Sequence, residues 1–141
     1  MEFVTVHNGS IELNVATAGN GPLIVCVHGF PELWYSWRHQ IEYFASRGYR
    51  VAALDVRGYG KSSRPYDIAA YSLRNLAADV AAVIDDLGKG KAILFGHDWG
   101  APVVWHAALL HPGKVTAVAG LSVPFFPRGP TPFLELTKAI Y

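Results

Sequence analysis

A tight turn between a buried strand and a helix is the sequence feature that most constrains this fold. Residues 92–95 form a short apolar run, as expected for a strand covered on both faces. Gly96 and Gly100 then flank Asp98 in the pattern Gly-x-Asp-x-Gly. Glycine has no Cβ, so it permits a turn in which backbone segments approach closely, and such a turn lifts its central residue above the sheet edge. The stretch therefore predicts an α/β fold with Asp98 at the carboxyl end of a strand.

The predicted surroundings of Asp98 suit a nucleophile. The next helix is predicted to start at Trp99, so its unpaired N–H groups and the positive end of its dipole point toward Asp98. An aspartate carboxylate, with a reference pKa of about 3.9, is ionised at neutral pH. It can attack carbon without a base that first removes a proton. An ordinary turn that contains an aspartate fits the same residues, so this motif alone leaves both interpretations open.

Apolar strands and amphipathic helices alternate along the rest of the chain. Strands are predicted at residues 3–7, 11–17, 23–27, 50–54, 92–95 and 115–121, and helices at residues 34–47, 73–87 and 99–111, with Ser72 as an N-cap. The Asn8-Gly9 pair predicts a hairpin between the first two strands. The later alternation predicts a mostly parallel sheet with helices on both faces. Ligands of such sheets bind beyond the carboxyl ends of the strands.

Composition excludes several classes of protein. The chain has 141 residues, a formal net charge of +1, 51% hydrophobic residues and 16% charged residues, which predicts one folded domain without a nucleic-acid partner. Cys26 is the only cysteine, so no disulfide framework is expected and Cys26 is interpreted as a packing residue. The sequence contains neither a secretion signal nor a membrane-spanning run, so we expect a cytoplasmic protein without membrane association.

Two other motifs do not predict a ligand. Residues 60–62, Gly-Lys-Ser, resemble part of a phosphate-binding loop, but Asp55 occupies the position of its first glycine. We interpret this loop as structural, with Asp55 and Arg57 pairing or binding backbone. The six histidines show no convincing metal-ligand spacing with carboxylates, so no metal site is predicted.

The loop at residues 28–31 is the second part of the predicted site. Its sequence, His-Gly-Phe-Pro, follows an apolar strand and would lie beside the Asp98 turn. In enzymes with such a turn, a developing oxyanion is held by the N–H of the residue after the nucleophile and by an N–H of this loop. Here those groups are the backbone N–H groups of Trp99 and Phe30. The tetrapeptide alone also fits a plain tight turn before a helix.

Taken together, three motifs resemble the α/β-hydrolase fold and, within it, the soluble epoxide hydrolases. They are HGFPELWYSWR at residues 28–38, DVRGYGKSS at residues 55–63 and GHDWGAP at residues 96–102, while residues 122–124 are similar to the family's exit from the core sheet into its cap. The resemblance implies an α/β-hydrolase fold truncated after the sixth strand, at the cap entrance. Residues 1–123 would then be the N-terminal part of the core domain, and residues 124–141 the start of the cap.

The resemblance also implies a reaction. Asp98 would open a small-molecule epoxide through an alkyl ester that is later hydrolysed to a diol, without a cofactor. Phe30 and Trp99 would supply the oxyanion hole with their N–H groups and line the substrate pocket with their side chains. Haloalkane dehalogenases share the aspartate followed by tryptophan but usually have asparagine in place of Phe30, and fluoroacetate dehalogenases usually have arginine in place of Trp99. Phe30 with Trp99 favours epoxides, and a dehalogenase is the alternative of the same fold.

The remaining catalytic groups of that family do not appear where the resemblance places them. The family's acid and histidine follow the nucleophile along the chain. After Asp98 this sequence has only Glu135, His106 and His111 as acid and histidines, and both histidines belong to a helix that runs away from the site. We therefore expect the N-terminal half of an epoxide hydrolase, inactive alone, that associates with a complementary C-terminal half or with itself. A half-domain without enzymatic activity is the alternative of a different class.

Overall fold

The mostly parallel sheet predicted from the sequence is present in the computed structural model, which describes residues 1–126. Its strands are β1 (Glu2–Asn8), β2 (Ile11–Ala18), β3 (Leu23–Val27), β4 (Arg50–Leu54), β5 (Ala92–His97) and β6 (Val115–Leu121), and the helices are α1 (Arg38–Ala45), α2 (Leu73–Leu87) and α3 (Gly100–Leu110). The order across the sheet is β1-β2-β4-β3-β5-β6. The strands β3, β4, β5 and β6 are parallel, whereas β1 and β2 form the predicted hairpin and run antiparallel to their neighbours.

Both faces of the sheet are covered by helices, and β3 shows why its sequence is apolar throughout. Leu23, Val25 and Val27 belong to the cluster with α2 and α3, whereas Ile24 and Cys26 belong to the cluster with α1. All five residues are buried. Since burial of a large aliphatic side chain stabilises a fold by roughly 1.5–3 kcal/mol, this central strand anchors both layers.

Cys26 is a packing residue, as predicted. Its side chain is fully buried against α1, and burial raises the pKa of its thiol far above the ordinary value because the thiolate would be desolvated. The residue therefore contributes as a small apolar group.

The first helix begins later than predicted. Residues Trp34–Trp37 form a 3₁₀ turn, and α1 starts only after it. The backbone N–H of Trp34 donates to Asp55 Oδ1 at 3.1 Å, so the turn is held by the loop after β4. Short 3₁₀ segments are common at helix ends, and the apolar pattern does not distinguish them from a first α-helical turn.

The other two helices follow the prediction closely. Ser72 Oγ accepts a hydrogen bond from the Asn75 N–H at 3.3 Å, which confirms Ser72 as the N-cap of α2. The strand β5 continues two residues beyond the predicted end, through His97, and α3 begins after Trp99, which is its N-cap residue. The predicted turn at Asp98 is therefore shorter than the sequence pattern indicated.

One edge of the sheet is formed by β6, which in residues 1–126 pairs with β5 alone. Leu121 at its end and Phe126 beyond it are exposed. Pairing with a complementary half or with a second copy stays a prediction. So does the boundary between core and cap at residue 124, since Glu135 and most of the predicted cap segment lie outside the described residues. No helix in the described part is both long and apolar enough to cross a bilayer.

Candidate active site

The turn after β5 has the close backbone approach that its glycines predicted. A Cβ on Gly96 would lie 2.4 Å from the Gly100 carbonyl oxygen, and a Cβ on Gly100 would lie 2.1 Å from the Val27 carbonyl oxygen. Between them Asp98 adopts a left-handed conformation with φ of 52°, which aspartate tolerates better than most residues. The two glycines are therefore required for space, and Asp98 is presented at the sheet edge.

The Asp98 carboxylate is held by backbone donors. The Phe30 N–H donates to Asp98 Oδ1 at 2.9 Å. Hydrogen bonds from the backbone N–H groups of Phe30 and Trp99 lower the pKa of Asp98 below its ordinary value. Desolvation opposes this lowering, and the nearby His97 adds to it. Because these donors favour the charged form, Asp98 is a carboxylate at neutral pH.

The structure brings the three predicted site residues together. Phe30 and Trp99 are both 66% exposed. Both side chains line a cavity of about 230 Å³ whose other walls include Tyr59 and Tyr71. Asp98 and Trp99 line a second cavity of about 170 Å³. Trp99 therefore borders both cavities.

His28 fixes the loop that carries Phe30, a role that the sequence analysis did not predict. Its Nε2 accepts from the Val56 N–H at 3.0 Å, and its Nδ1 lies 2.8 Å from the Gly29 carbonyl oxygen, so the network assigns a neutral ring with the proton on Nδ1. Burial lowers the pKa of His28, although the Gly29 carbonyl and the charges of Asp55 and Glu32 oppose this effect. The ring therefore joins the loops after β3 and β4.

The loop after β4 is structural, as predicted, but Asp55 and Arg57 do not pair with each other. Asp55 accepts from the backbone N–H groups of Trp34 and Lys61, each at 3.1 Å. Arg57 instead forms a bidentate ion pair with Asp79 of α2, with Nε–Oδ2 and Nη2–Oδ1 distances of 2.9 and 2.6 Å. Of the two predicted alternatives, backbone binding is confirmed for both residues, since Arg57 Nη1 also donates to the Ala70 carbonyl oxygen at 2.7 Å. Pairing between Asp55 and Arg57 does not occur, because the guanidinium pairs with Asp79.

A second contact between the β3 loop and the turn was missed by the sequence analysis. Glu32 Oε2 accepts from the Gly29 N–H at 3.1 Å and lies 3.2 Å from His97 Nδ1. Both residues stand inside motifs that the sequence analysis had singled out, but side-chain contacts between separate motifs cannot be obtained from spacing. No cluster of three or more metal-ligating side chains occurs in the part of the chain that the structure describes.

The comparison with known protein families agrees with this geometry. The family described as "alpha/beta hydrolase fold" matches residues 22–140. The chain belongs to the α/β-hydrolase fold family. This confirms the predicted fold.

The most similar proteins of this hydrolase family include epoxide hydrolases. Epoxide hydrolase A of Mycobacterium tuberculosis is 52% identical over 129 residues, which are 90% of this chain and 40% of that protein. Epoxide hydrolase 3 of Siraitia grosvenorii is 43% identical over 136 residues, which are 96% of this chain and 43% of that protein. The chain thus spans about two fifths of the length of these curated relatives.

Solved structures give the same result for this α/β-hydrolase chain. The crystal structure of an epoxide hydrolase from Vigna radiata matches with a TM-score of 0.91 and 48% identity, covering 99% of this chain and 46% of that one. The crystal structure of epoxide hydrolase A from Mycobacterium thermoresistibile matches with a TM-score of 0.91 and 50% identity, covering 99% of this chain and 44% of that one. The predicted resemblance to epoxide hydrolases is confirmed.

Proposed function

We propose that the protein to which these residues belong is an epoxide hydrolase and that Asp98 is its nucleophile. The observation that carries this proposal is the hydrogen bond from the Phe30 N–H to Asp98 Oδ1 at 2.9 Å. It orients an ionised carboxylate at the carboxyl edge of a parallel sheet, where such folds bind their ligands. The similarity to epoxide hydrolases supports the choice of reaction.

In the first half-reaction, Asp98 Oδ2 attacks an epoxide carbon while Oδ1 stays on the Phe30 N–H. A bond forms between Oδ2 and carbon, and the bond between that carbon and the epoxide oxygen breaks. The electron pair of the broken bond goes to the epoxide oxygen, which takes a proton from an acid or from water. The product is an alkyl ester on Asp98 with a neighbouring hydroxyl group.

In the second half-reaction, an activated water adds to the ester carbonyl of Asp98, and Oδ1 becomes an oxyanion. The N–H groups of Phe30 and Trp99 are assigned to stabilise it, and the loss of one such donor typically costs roughly 100-fold or more in rate. When this intermediate collapses, the bond between Cγ and Oδ2 of Asp98 breaks and Oδ2 takes back the proton that the base removed from water. The diol leaves with Oδ2, and the water oxygen restores the carboxylate. The side chains of Phe30 and Trp99 are assigned to the substrate pocket.

The base that activates this water is assigned to the part of the protein beyond residues 1–126. In the described part, the histidine on α3 after the nucleophile is His106, and its Nδ1 lies 2.8 Å from the Pro102 carbonyl oxygen of the same helix. This hydrogen bond leaves Nε2 as an acceptor, but His106 lies farther along α3 and lines a cavity that Asp98 does not line. We therefore expect ester formation, but not turnover, from the 141-residue chain alone.

Covalent labelling tests the proposal. The chain is incubated with a reactive styrene-type epoxide and analysed by intact mass and peptide mapping, with a freshly purified Asp98→Asn protein as the control. We expect one adduct on the peptide that contains Asp98 and none on the asparagine protein, which keeps the shape of the side chain without its charge. Equal labelling of both proteins would reject Asp98 as the nucleophile. Sustained diol release would show that the 141-residue chain itself contains a base that activates water.

The same assay tests the dehalogenase alternative. An aspartate followed by tryptophan, as at Asp98 and Trp99, is shared with haloalkane dehalogenases. Release of halide from a haloalkane together with an ester on Asp98, and no adduct from the epoxide, would replace the proposed substrate class. A correctly folded protein that is labelled by neither reagent would favour a half-domain without enzymatic activity.

A further inference from the structure

Glu32 forms two hydrogen bonds with Gly29, the residue before the proposed oxyanion donor Phe30. Its Oε2 accepts from the Gly29 N–H at 3.1 Å, and its own N–H donates to the Gly29 carbonyl oxygen at 3.0 Å. The same Oε2 lies 3.2 Å from His97 Nδ1. One carboxylate oxygen thus joins the loop after β3 to the last residue of β5.

These contacts stand directly beside the contact between donor and nucleophile. Gly29 precedes Phe30, whose N–H donates to Asp98 Oδ1, and His97 precedes Asp98. A Cβ on Gly29 would lie 2.4 Å from Asp98 Oδ1, so loop and turn are already at their closest approach. A small shift of either segment therefore changes the length of the Phe30–Asp98 hydrogen bond.

We infer that Glu32 is a positioning residue for the nucleophile: by joining the Gly29 N–H to His97, it keeps the Phe30 N–H on Asp98. This inference rests on the proposed function of Asp98. It assigns to Glu32 no contact with the reacting atoms, because its carboxylate acts through the two residues that precede Phe30 and Asp98. Misplacement of a reacting group by about 1 Å can cost on the order of 100-fold in rate.

The surroundings of Glu32 make the inference testable. Glu32 and His97 line a cavity of about 230 Å³ together with Ser36, Trp37 and Gln40. The side chains of Glu32 and His97 are 26% and 39% exposed. Truncation of Glu32 therefore enlarges a cavity that already exists at the surface and opens no new one in the core, so a folded variant is expected.

The first experiment compares Glu32→Ala and Glu32→Gln with the unchanged chain, and uses Glu42→Gln on the exposed face of α1 as the matched control. The pKa of Asp98 is measured by carboxyl NMR, which requires no substrate. Glu32→Ala should raise it, because the Phe30 donor is no longer held on the carboxylate. Glu32→Gln, whose amide oxygen still accepts from the Gly29 N–H, should restore most of the original value, and Glu42→Gln should not change it.

The second experiment measures ester formation on Asp98 against epoxide concentration. Glu32→Ala should lower the limiting rate constant by roughly tenfold or more, through lost orientation, and leave the half-saturating concentration unchanged. Glu32→Gln should recover most of that rate constant. A role of Glu32 in binding would instead move the half-saturating concentration and overturn the inference.

Amide hydrogen exchange shows whether the effect is local. Exchange at the Phe30 N–H should accelerate by roughly tenfold in Glu32→Ala, while exchange in the middle of β3, at Val25, stays unchanged. Equal changes at both amides, or no change in the Asp98 pKa, would overturn the inference. If the unchanged chain forms no ester but the pKa and exchange effects appear, the proposed reaction fails while the positioning by Glu32 stands.

Discussion

Asp55 and Asp98 each follow a parallel strand directly, on either side of β3, but their surroundings differ in burial and in hydrogen bonding. Asp55 is 2% exposed and accepts hydrogen bonds on both oxygens, from Trp34 on Oδ1 and from Asn14 and Lys61 on Oδ2. Asp98 is partly exposed, in a left-handed conformation, and accepts from the Phe30 N–H on Oδ1.

The difference shows how one residue type occupies two different environments at the same sheet edge. The loop after β4 is built by side chains that bond to backbone, so its aspartate is a structural cross-link. The turn after β5 depends on the absence of side chains at Gly96 and Gly100, which leaves room for neighbouring backbone. Its aspartate is not needed to make that room, which suits the nucleophilic role proposed for it. We therefore expect substitution of Asp55 to lower stability and substitution of Asp98 to abolish the proposed reaction.

The largest effect is expected from Gly100→Ala in the turn after β5. The new Cβ would lie 2.1 Å from the Val27 carbonyl oxygen and 2.7 Å from that of His28, and neither backbone atom can move without shifting β3. We expect a loss of more than about 4 kcal/mol in the free energy of unfolding, or no folded protein. Urea unfolding followed by circular dichroism measures it. Gly113→Ala, where a Cβ would meet nothing within 4 Å, is the control and should be nearly neutral.

The next effect concerns the ion pair that supports the loop after β4. Arg57 and Asp79 are 6% and 1% exposed, so Asp79→Asn leaves a buried guanidinium without its counter-charge. The expected cost is about 3–5 kcal/mol in the free energy of unfolding. Asp85→Asn, which removes the exposed partner of Lys114, should cost at most about 1 kcal/mol. Equal losses in the two variants would show that burial does not decide the strength of these pairs.

Asp55→Asn compared with Asp98→Asn tests the contrast directly. At Asp55 the amide group must face at least one of three donors, which should cost about 1–3 kcal/mol of stability. At Asp98 the asparagine oxygen still accepts from the Phe30 N–H, so the melting temperature should stay unchanged while ester formation is lost. A comparable loss of stability in both variants would contradict the division between a structural and a chemical aspartate. Asp86→Asn at an exposed site of α2 is the control.

The smallest effect is a pH dependence that arises from His28. Burial lowers the pKa of His28 in the folded protein below its ordinary value of 6.5, so the unfolded chain binds the proton more tightly. The contribution of His28 to stability is therefore complete above pH 6.5 and is lost as the pH falls below it, by at most about 1.4 kcal/mol per pH unit. Unfolding at pH 7.5 and 5.5 should show a steeper loss for the unchanged chain than for His28→Gln. The exposed-site variant His39→Gln should keep the full slope.

The parts of the site that depend on local backbone could be predicted from the sequence. Strand ends, glycine spacing and the position after the strand together predicted that Phe30, Asp98 and Trp99 would meet, because carboxyl ends of parallel strands share one edge. These properties depend on a few consecutive residues. The N-cap at Ser72 was predictable for the same reason.

Contacts between side chains that are distant in the sequence could not be predicted in this way. Arg57 could have reached several acids of α2, and only the packing of the helix selects Asp79 and leaves Asp85 at the surface. The pairing of Glu32 with His97 depends on how close two loops come, to within 3.2 Å. The role of His28 could not be predicted without knowing both of its hydrogen-bond partners. The 3₁₀ turn at Trp34–Trp37 followed from a bond to Asp55 in another loop.

The burial of Cys26 makes this chain convenient for thiol-labelling experiments. It is the only cysteine of the sequence and is enclosed between the sheet and α1, so a maleimide reaches it only when that layer opens. The modification rate of Cys26 under native conditions therefore reports the opening equilibrium of the core. A cysteine introduced at an exposed site would be modified first, which allows a fluorophore to be attached there without removing the natural thiol.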